Sequence, residues 1–166
     1  MAGPGAAVAI ICSPSHRMLM IKRAVREGDR WSGQIAFPGG HTEDKEKPLE
    51  CAFREVKEEV GLGGSLLNYQ AQLGDVSPLS TPEFLVRPFV FSIESEPKLT
   101  LNSEEVSEAR WLDPDERVNV SLELPRGKVD GYTWGEWVVW GMSKRIIDEF
   151  LSEGVFLKVW PRSARS

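Results

Sequence analysis

The chain has 166 residues, of which 41% are hydrophobic and 27% are charged, an ordinary composition for one globular domain. We therefore predict a single domain over residues 1–166. The formal net charge of −5 provides no overall basic field, which argues against bulk nucleic acid as a partner. No apolar run approaches the roughly 18 residues of a membrane span, and the short apolar run near the N-terminus has no basic residue before it. We expect no membrane partner and a cytoplasmic location.

The two cysteines, Cys12 and Cys51, lie in apolar segments far apart in the sequence. Neither a metal-binding Cys pair nor a disulfide framework is indicated by this spacing. We predict that both are buried free thiols.

The first half of the chain predicts a hairpin followed by an amphipathic helix. Two β-rich runs, residues 6–12 and 18–22, flank the turn-forming segment SPSHR. After a long connection rich in glycine and charge, Pro48 suits a first helical position and Gly61 suits the residue after a helix end. The apolar positions of this helix recur at spacings of three and four, and they are Leu49, Ala52, Phe53, Val56 and Val60.

The second half predicts three strands and one more helix. Strands are expected over residues 68–76, 82–95 and 108–112, and helical periodicity is expected over 134–154. The tryptophans of this last segment recur every three residues, and we expect them to line the core rather than a ligand site; they are Trp134, Trp137 and Trp140. The mixed order of strands and helices predicts a compact α/β or α+β fold.

Three carboxylates crowd the C-terminal part of the first predicted helix. Glu58 and Glu59 follow Glu55 at i+3 and i+4, so all three lie on one face, where each like-charge pair costs about 0.2–0.5 kcal/mol. The helix dipole also favours cations at this end. One interpretation is a solvated charged face with Arg54 and Lys57 nearby. The other is a divalent cation site, because a bound cation would reverse both penalties.

The same helix completes a longer pattern that begins at Gly40. Five residues separate this glycine from Glu46, and seven more lead to the helix segment REVKEEVGL, residues 54–62. The pattern matches, at every defined position, the signature of the Nudix hydrolases, and the chain therefore resembles that family.

This resemblance implies an α/β/α sandwich with a mixed sheet, and hydrolysis of a nucleoside diphosphate linked to another group. It implies that the catalytic carboxylates also bind Mg²⁺ or Mn²⁺ together with a backbone carbonyl; these residues are Glu55, Glu58, Glu59 and Gly39. It assigns Glu46 and Arg54 to a structural ion pair. The general base is left open between Glu55, Glu59 and a glutamate on a later loop. Family members are often dimers, so a homodimer is possible.

A basic segment precedes the signature and supplies the candidate substrate-binding residues Arg23, Arg26, Arg30 and Trp31. The arginines could hold substrate phosphates through charge-assisted hydrogen bonds, with Arg23 favoured. Trp31 either stacks on a nucleobase or pantetheine arm, or anchors the long loop in the core.

Four segments outside the signature resemble the coenzyme A pyrophosphatase branch of the family. They are LMIKRA, SGQIAFPGG, LGDVSPLSTPEFLVRPFVF and WVVWGMSKRIIDEFL. This likeness implies cleavage of coenzyme A or acyl-CoA to 3′,5′-ADP and (acyl-)4′-phosphopantetheine. Because Trp31 stands where that branch usually has histidine, ADP-ribose, NADH and other nucleotides remain alternative substrates. A third hypothesis is a Nudix module that binds a nucleotide without catalysis.

Overall fold

The computed structural model describes residues 3–29, 32–152 and 154–160, so the predictions for Arg30 and Trp31 lie outside the described residues. The strands of the first sheet are β1 (Ala6–Ser13), β2 (Arg17–Arg23), β3 (Ile35–Ala36), β4 (Gly39–His41), β5 (Asn68–Gln72), β6 (Val86–Ser92) and β7 (Val106–Leu112). The second sheet contains β8 (Val118–Leu124), β9 (Gly127–Trp134) and β10 (Trp137–Trp140). The helices are α1 (Pro48–Val60), α2 (Gly141–Ser152) and α3 (Val155–Val159).

The first sheet is mixed and branches at β1. One edge of β1 pairs in parallel with β6, while the other pairs antiparallel with β2 at one end and with β4 at the other. Because β1 and β2 run antiparallel, β2 ends at the same end of the sheet as β4. This topology brings Arg23, the last residue of β2, close to the strand that precedes α1.

The two faces of the first sheet carry separate cores. Alternate residues of β1 point to opposite faces, so Ala9 packs with the buried face of α1, whereas Ile10 packs with the second sheet and α2. The α1 side includes Val56, and the α2 side includes Phe150, both fully buried. The predicted layering, with a mixed sheet between helices, is confirmed.

The helix predicted over residues 134–154 is wrong in its first third. Residues 127–140 form the hairpin of β9 and β10, and α2 begins only at Gly141. Trp134 and Trp137 are directly opposed across a two-residue turn, in which Gly135 has a φ of 61°. A spacing of three therefore gives a shared face in a tight hairpin as well as in a helix, and β-branched and aromatic residues favour the strand. Both tryptophans are buried, which confirms their core role.

The other predicted elements are present with different ends: β1, β2 and β7 are longer than predicted, and β5 and β6 are shorter. The elements β3, β4, β8 and α3 were not predicted. The β1–β2 hairpin is confirmed, and α1 ends at Gly61, whose φ of 77° is left-handed. Cys12 and Cys51 are buried free thiols, as expected. Within the described ranges, none of the helices combines the length and apolar character that crossing a membrane requires.

Candidate active site

Two glycines bring β4 into contact with the acidic face of α1. The backbone N–H of Gly39 donates to Glu59 Oε1 at 2.8 Å. Gly40 lies so close to Glu55 that a Cβ there would be 2.6 Å from the carboxyl carbon, and a Cβ at Gly39 would lie 2.3 Å from the carbonyl oxygen of Ala7. Any larger residue at either position would force the strand away from the helix or from β1.

The backbone groups of β4 alternate between β1 and α1. Gly39 directs its N–H to Glu59, and the carbonyl of His41 accepts from Arg54 Nη2 at 3.0 Å. In an extended strand, the N–H and C=O of one residue point to the same side. The Gly39 carbonyl therefore points to the side of the carboxylates rather than to β1.

A third carboxylate joins this site from a distant part of the chain. Carboxylate oxygens of Glu55, Glu59 and Glu105 all lie within 4.8 Å of one another, an arrangement that could hold a metal ion. Glu105 directly precedes β7, and its backbone is held by hydrogen bonds to Asn102 and Ala24, both 2.9 Å long. Glu105 lies outside the signature. The family resemblance predicts only that a glutamate on a later loop is one candidate for the general base.

Burial and mutual repulsion dominate the electrostatics of this three-carboxylate group. Glu59 is only 3% exposed. Its burial raises the pKa to about 8, and the charges of Glu55 and Glu105 add to this effect, while the Gly39 N–H opposes it. Burial also raises the pKa of Glu55, against the lowering effect of Arg54. The group is thus short of compensating positive charge.

The remaining residues of the signature form an ion-pair network around Arg54, which shares Glu55 with the three-carboxylate group. Arg54 donates from Nε to Glu46 at 2.7 Å and from Nη2 at 2.9 Å, and this bidentate contact lowers the pKa of Glu46 to about 2. Its Nη1 donates to Glu55 at 2.8 Å and to Glu58 at 3.2 Å. Glu58 is 49% exposed and lies outside the three-carboxylate group.

An open cleft of about 350 Å³ contains this group. Arg23 and Arg26 line it together with Gly39 and the three carboxylates, so the structure places two of the four predicted substrate-binding residues at the site. Arg23 donates from Nη2 to Asp29 at 3.3 Å. A second cavity, about 370 Å³, contains none of the predicted residues.

The NUDIX domain family matches residues 2–135 of the chain. The chain belongs to the Nudix family. Similar curated proteins include the Nudix hydrolase NudL of Photorhabdus laumondii, 30% identical over 154 residues that span 87% of this chain and 80% of the relative. NudL of Pectobacterium atrosepticum is 31% identical over 86% of this chain and 77% of its own length.

Solved structures share the fold at lower identity. A MutT/nudix family protein from Enterococcus faecalis superposes with a TM-score of 0.60 and 19% identity, covering 99% of this chain and 72% of the other. A C. elegans Ap4A hydrolase has a TM-score of 0.55 and 18% identity, covering 66% and 80%. These likenesses show the Nudix fold. The family match and the curated relatives identify a Nudix hydrolase, whose reaction is hydrolysis of a pyrophosphate linkage. Nudix hydrolases generally use divalent metal ions.

Proposed function

We propose that this Nudix hydrolase cleaves the diphosphate of coenzyme A or an acyl-CoA, yielding 3′,5′-ADP and (acyl-)4′-phosphopantetheine. The observation that carries the hydrolytic site is the convergence of Glu55, Glu59 and Glu105 within 4.8 Å beside Gly39. The choice of coenzyme A rests on the four sequence segments that resemble the coenzyme A pyrophosphatase branch, and on the arginines that line the cleft.

The donor set fits a hard divalent cation, Mg²⁺ or Mn²⁺. Such ions prefer carboxylate and carbonyl oxygens, and the repulsion among three converging carboxylates is what a cation would relieve. We assign Glu55, Glu59, Glu105 and the Gly39 carbonyl as ligands, and the family resemblance keeps Glu58 as a further predicted ligand. A bound ion would supply charge neutralisation at the diphosphate and lower the pKa of a bound water.

Side chains around the cleft would bind the diphosphate and accept the proton of the attacking water. Arg23 is available to donate charge-assisted hydrogen bonds to the diphosphate oxygens. Water attacks one phosphorus, the bond from that phosphorus to the bridging oxygen breaks, and the water's proton moves to a carboxylate. We assign that proton to the carboxylate oxygen of Glu105 that would not bind the ion, because Glu55 is engaged by Arg54 and Glu59 accepts from Gly39.

The deciding experiment incubates the purified protein with Mg²⁺ or Mn²⁺ and, separately, coenzyme A, acetyl-CoA, ADP-ribose, NADH, diadenosine tetraphosphate and nucleoside triphosphates. Products are identified by mass spectrometry. Formation of 3′,5′-ADP and 4′-phosphopantetheine at the highest kcat/KM of the panel is the expected result. A preference for ADP-ribose or NADH would replace the proposed substrate, and turnover that persists in EDTA would contradict metal dependence.

A cytoplasmic setting is part of the proposal. It is supported by Cys12 and Cys51, which are buried free thiols of the kind that reducing compartments maintain. A homodimer and a single domain over residues 1–166 stay predictions, to be measured by light scattering and limited proteolysis of the full chain.

A further inference from the structure

Among the described residues, three arginines line the cleft, and they differ in how their charges are compensated. The Arg54 guanidinium contacts the carboxylates of Glu46, Glu55 and Glu58. Arg23 contacts Asp29 at 3.3 Å. Within the described ranges, the structure shows no carboxylate within 4 Å of the Arg26 guanidinium. Arg26 therefore offers the cleft a positive charge that the described part of the chain leaves for another group.

The backbone of Arg26 is nevertheless held in place. Its N–H donates to Ser32 Oγ at 2.8 Å, and the same hydroxyl donates back to the Arg26 carbonyl at 2.9 Å. Asp29 N–H also donates to that carbonyl at 3.2 Å. A fixed backbone reduces the entropy that an exposed arginine would lose on binding an anion. The contacts thus support a binding role rather than simple solubilisation.

The segment that carries Arg23 and Arg26 is hydrogen-bonded to the loop that carries Glu105. Ala24, which lies between the two arginines along the chain, donates its N–H to the carbonyl of Glu105 at 2.9 Å. This bond ties the segment that carries Arg23 and Arg26 to the loop that carries a proposed metal ligand. Arg23 is the nearer arginine to β2, and Arg26 lies three residues further out.

The lining of the cleft also includes an exposed carboxylate. Glu43 is 68% exposed and lies 3.6 Å from Arg54, whose charge is already shared by other carboxylates. An extra anionic group on the substrate is therefore attracted towards Arg26 and repelled near Glu43. The charges that line the cleft therefore favour one position, near Arg26, for a negative group that a substrate carries in addition to the diphosphate.

We propose that Arg26 binds a phosphomonoester on the ribose of the substrate, outside the diphosphate, and thereby selects nucleotides that carry this group over those that lack it. Ser32 acts as the positioning residue for Arg26. The inference rests on the proposed function in one respect, that a nucleotide diphosphate occupies this cleft; it requires neither turnover nor coenzyme A itself.

The test compares 3′,5′-ADP with 5′-AMP, which differ only in the ribose phosphate, by titration calorimetry in Mg²⁺ buffer. We expect the wild-type protein to bind 3′,5′-ADP at least about 10-fold more tightly, as one charge-assisted contact allows. Arg26→Ala should reduce this ratio to within about threefold of unity, and Arg26→Lys should keep part of it. Arg126→Ala, which removes an exposed arginine between β8 and β9, is the matched charge control and should keep the full ratio.

The positioning role of Ser32 is tested by a measurement that a general loss of structure would not change in the same way. Ser32→Ala should lower the 3′,5′-ADP preference while leaving AMP affinity unchanged, and Ser32→Thr, which keeps the hydroxyl, should restore it. In turnover, Ser32→Ala should raise KM for coenzyme A relative to dephospho-CoA without changing kcat, whereas Ser32→Thr should leave both KM values at the wild-type level.

Two results would overturn the inference: equal wild-type affinities for 3′,5′-ADP and AMP, or equal weakening of both by Arg26→Ala, which would make Arg26 a ligand of the common phosphate. Failure of the proposed function appears differently. If coenzyme A is not hydrolysed but the affinity ratio and its loss in Arg26→Ala are observed, the substrate assignment fails and the role of Arg26 stands.

Discussion

Glu46 and Glu59 belong to the same signature and differ in what surrounds them. Glu46 receives two hydrogen bonds from Arg54, and its pKa falls to about 2. Glu59 is buried next to two further carboxylates with one backbone N–H as its donor, and its pKa rises to about 8. The first carboxylate stabilises the folded chain, whereas the second destabilises it unless a cation binds.

One sequence motif therefore contains two opposite electrostatic arrangements. Around Arg54, charges are compensated within the protein, which favours a structural role. Around Glu59, they are left uncompensated in a cleft, which is the usual condition of functional groups with perturbed pKa values. Four variants test whether the two carboxylates differ in this way.

Glu59→Gln should have the largest effect. We expect kcat to fall by at least about 10²-fold, the scale on which loss of a catalytic electrostatic group acts. Because the raised pKa of about 8 leaves the Glu59 carboxyl largely protonated at pH 7, the neutral amide changes little charge there and keeps an oxygen that can accept from Gly39. The unfolding free energy of the metal-free protein at pH 7 should therefore not fall. Steady-state kinetics and urea denaturation measure the two quantities. Near-normal turnover, or a large loss of stability, would show that Glu59 has a structural role like that of Glu46.

Glu105→Gln tests whether the functional region extends beyond the signature. We expect a decrease in kcat of roughly 10²-fold, as for loss of a general base, with the metal-free stability unchanged. Glu104→Gln is the control, because Glu104 is the exposed neighbour of Glu105 and lies outside the cleft. Equal activities of the two variants would remove Glu105 from the site.

Glu46→Gln should affect stability more than turnover. Loss of the bidentate contact is expected to cost about 1–3 kcal/mol of unfolding free energy at pH 7. Because the folded pKa is about 2 and the ordinary value is 4.5, the contribution is present above pH 4.5 and is lost as the pH falls towards 2. The stability difference between variant and wild type should shrink over that interval in denaturation curves.

Glu123→Gln provides the control for this prediction. Glu123 is 82% exposed and lies 3.8 Å from Lys128, so its removal should change stability by less than about 1 kcal/mol. A pH-independent deficit in Glu46→Gln would contradict the ion-pair explanation.

Glu58→Gln should have the smallest effect on turnover. Glu58 is half exposed and pairs with Arg54 outside the three-carboxylate group, so we expect kcat to fall by less than about 10-fold. A loss as large as that of Glu59→Gln in the same assay would show that Glu58 leaves Arg54 and joins the metal site, as the family resemblance implies.

Local patterns predicted the elements whose signals are local. Pro48, Gly61 and the apolar stripe of α1 defined that helix, and turn residues defined the β1–β2 hairpin. The periodicity of residues 134–140 predicts a helix where the structure has a hairpin, because Trp134 and Trp137 share a face in either structure. Only pairing with β8 and packing against α2 distinguish the two.

The family, the acidic face of α1 and the spacing from Gly40 to Glu59 follow from the local sequence, because one helix and the strand before it contain all of these residues. Which charged groups come into contact depends on the tertiary structure. Glu105 reaches the site only because β7 pairs with β2, and Arg26 reaches the cleft only because β2 returns to the end of the sheet that carries β4. Such contacts between distant segments depend on strand pairing, which no local pattern of residues encodes.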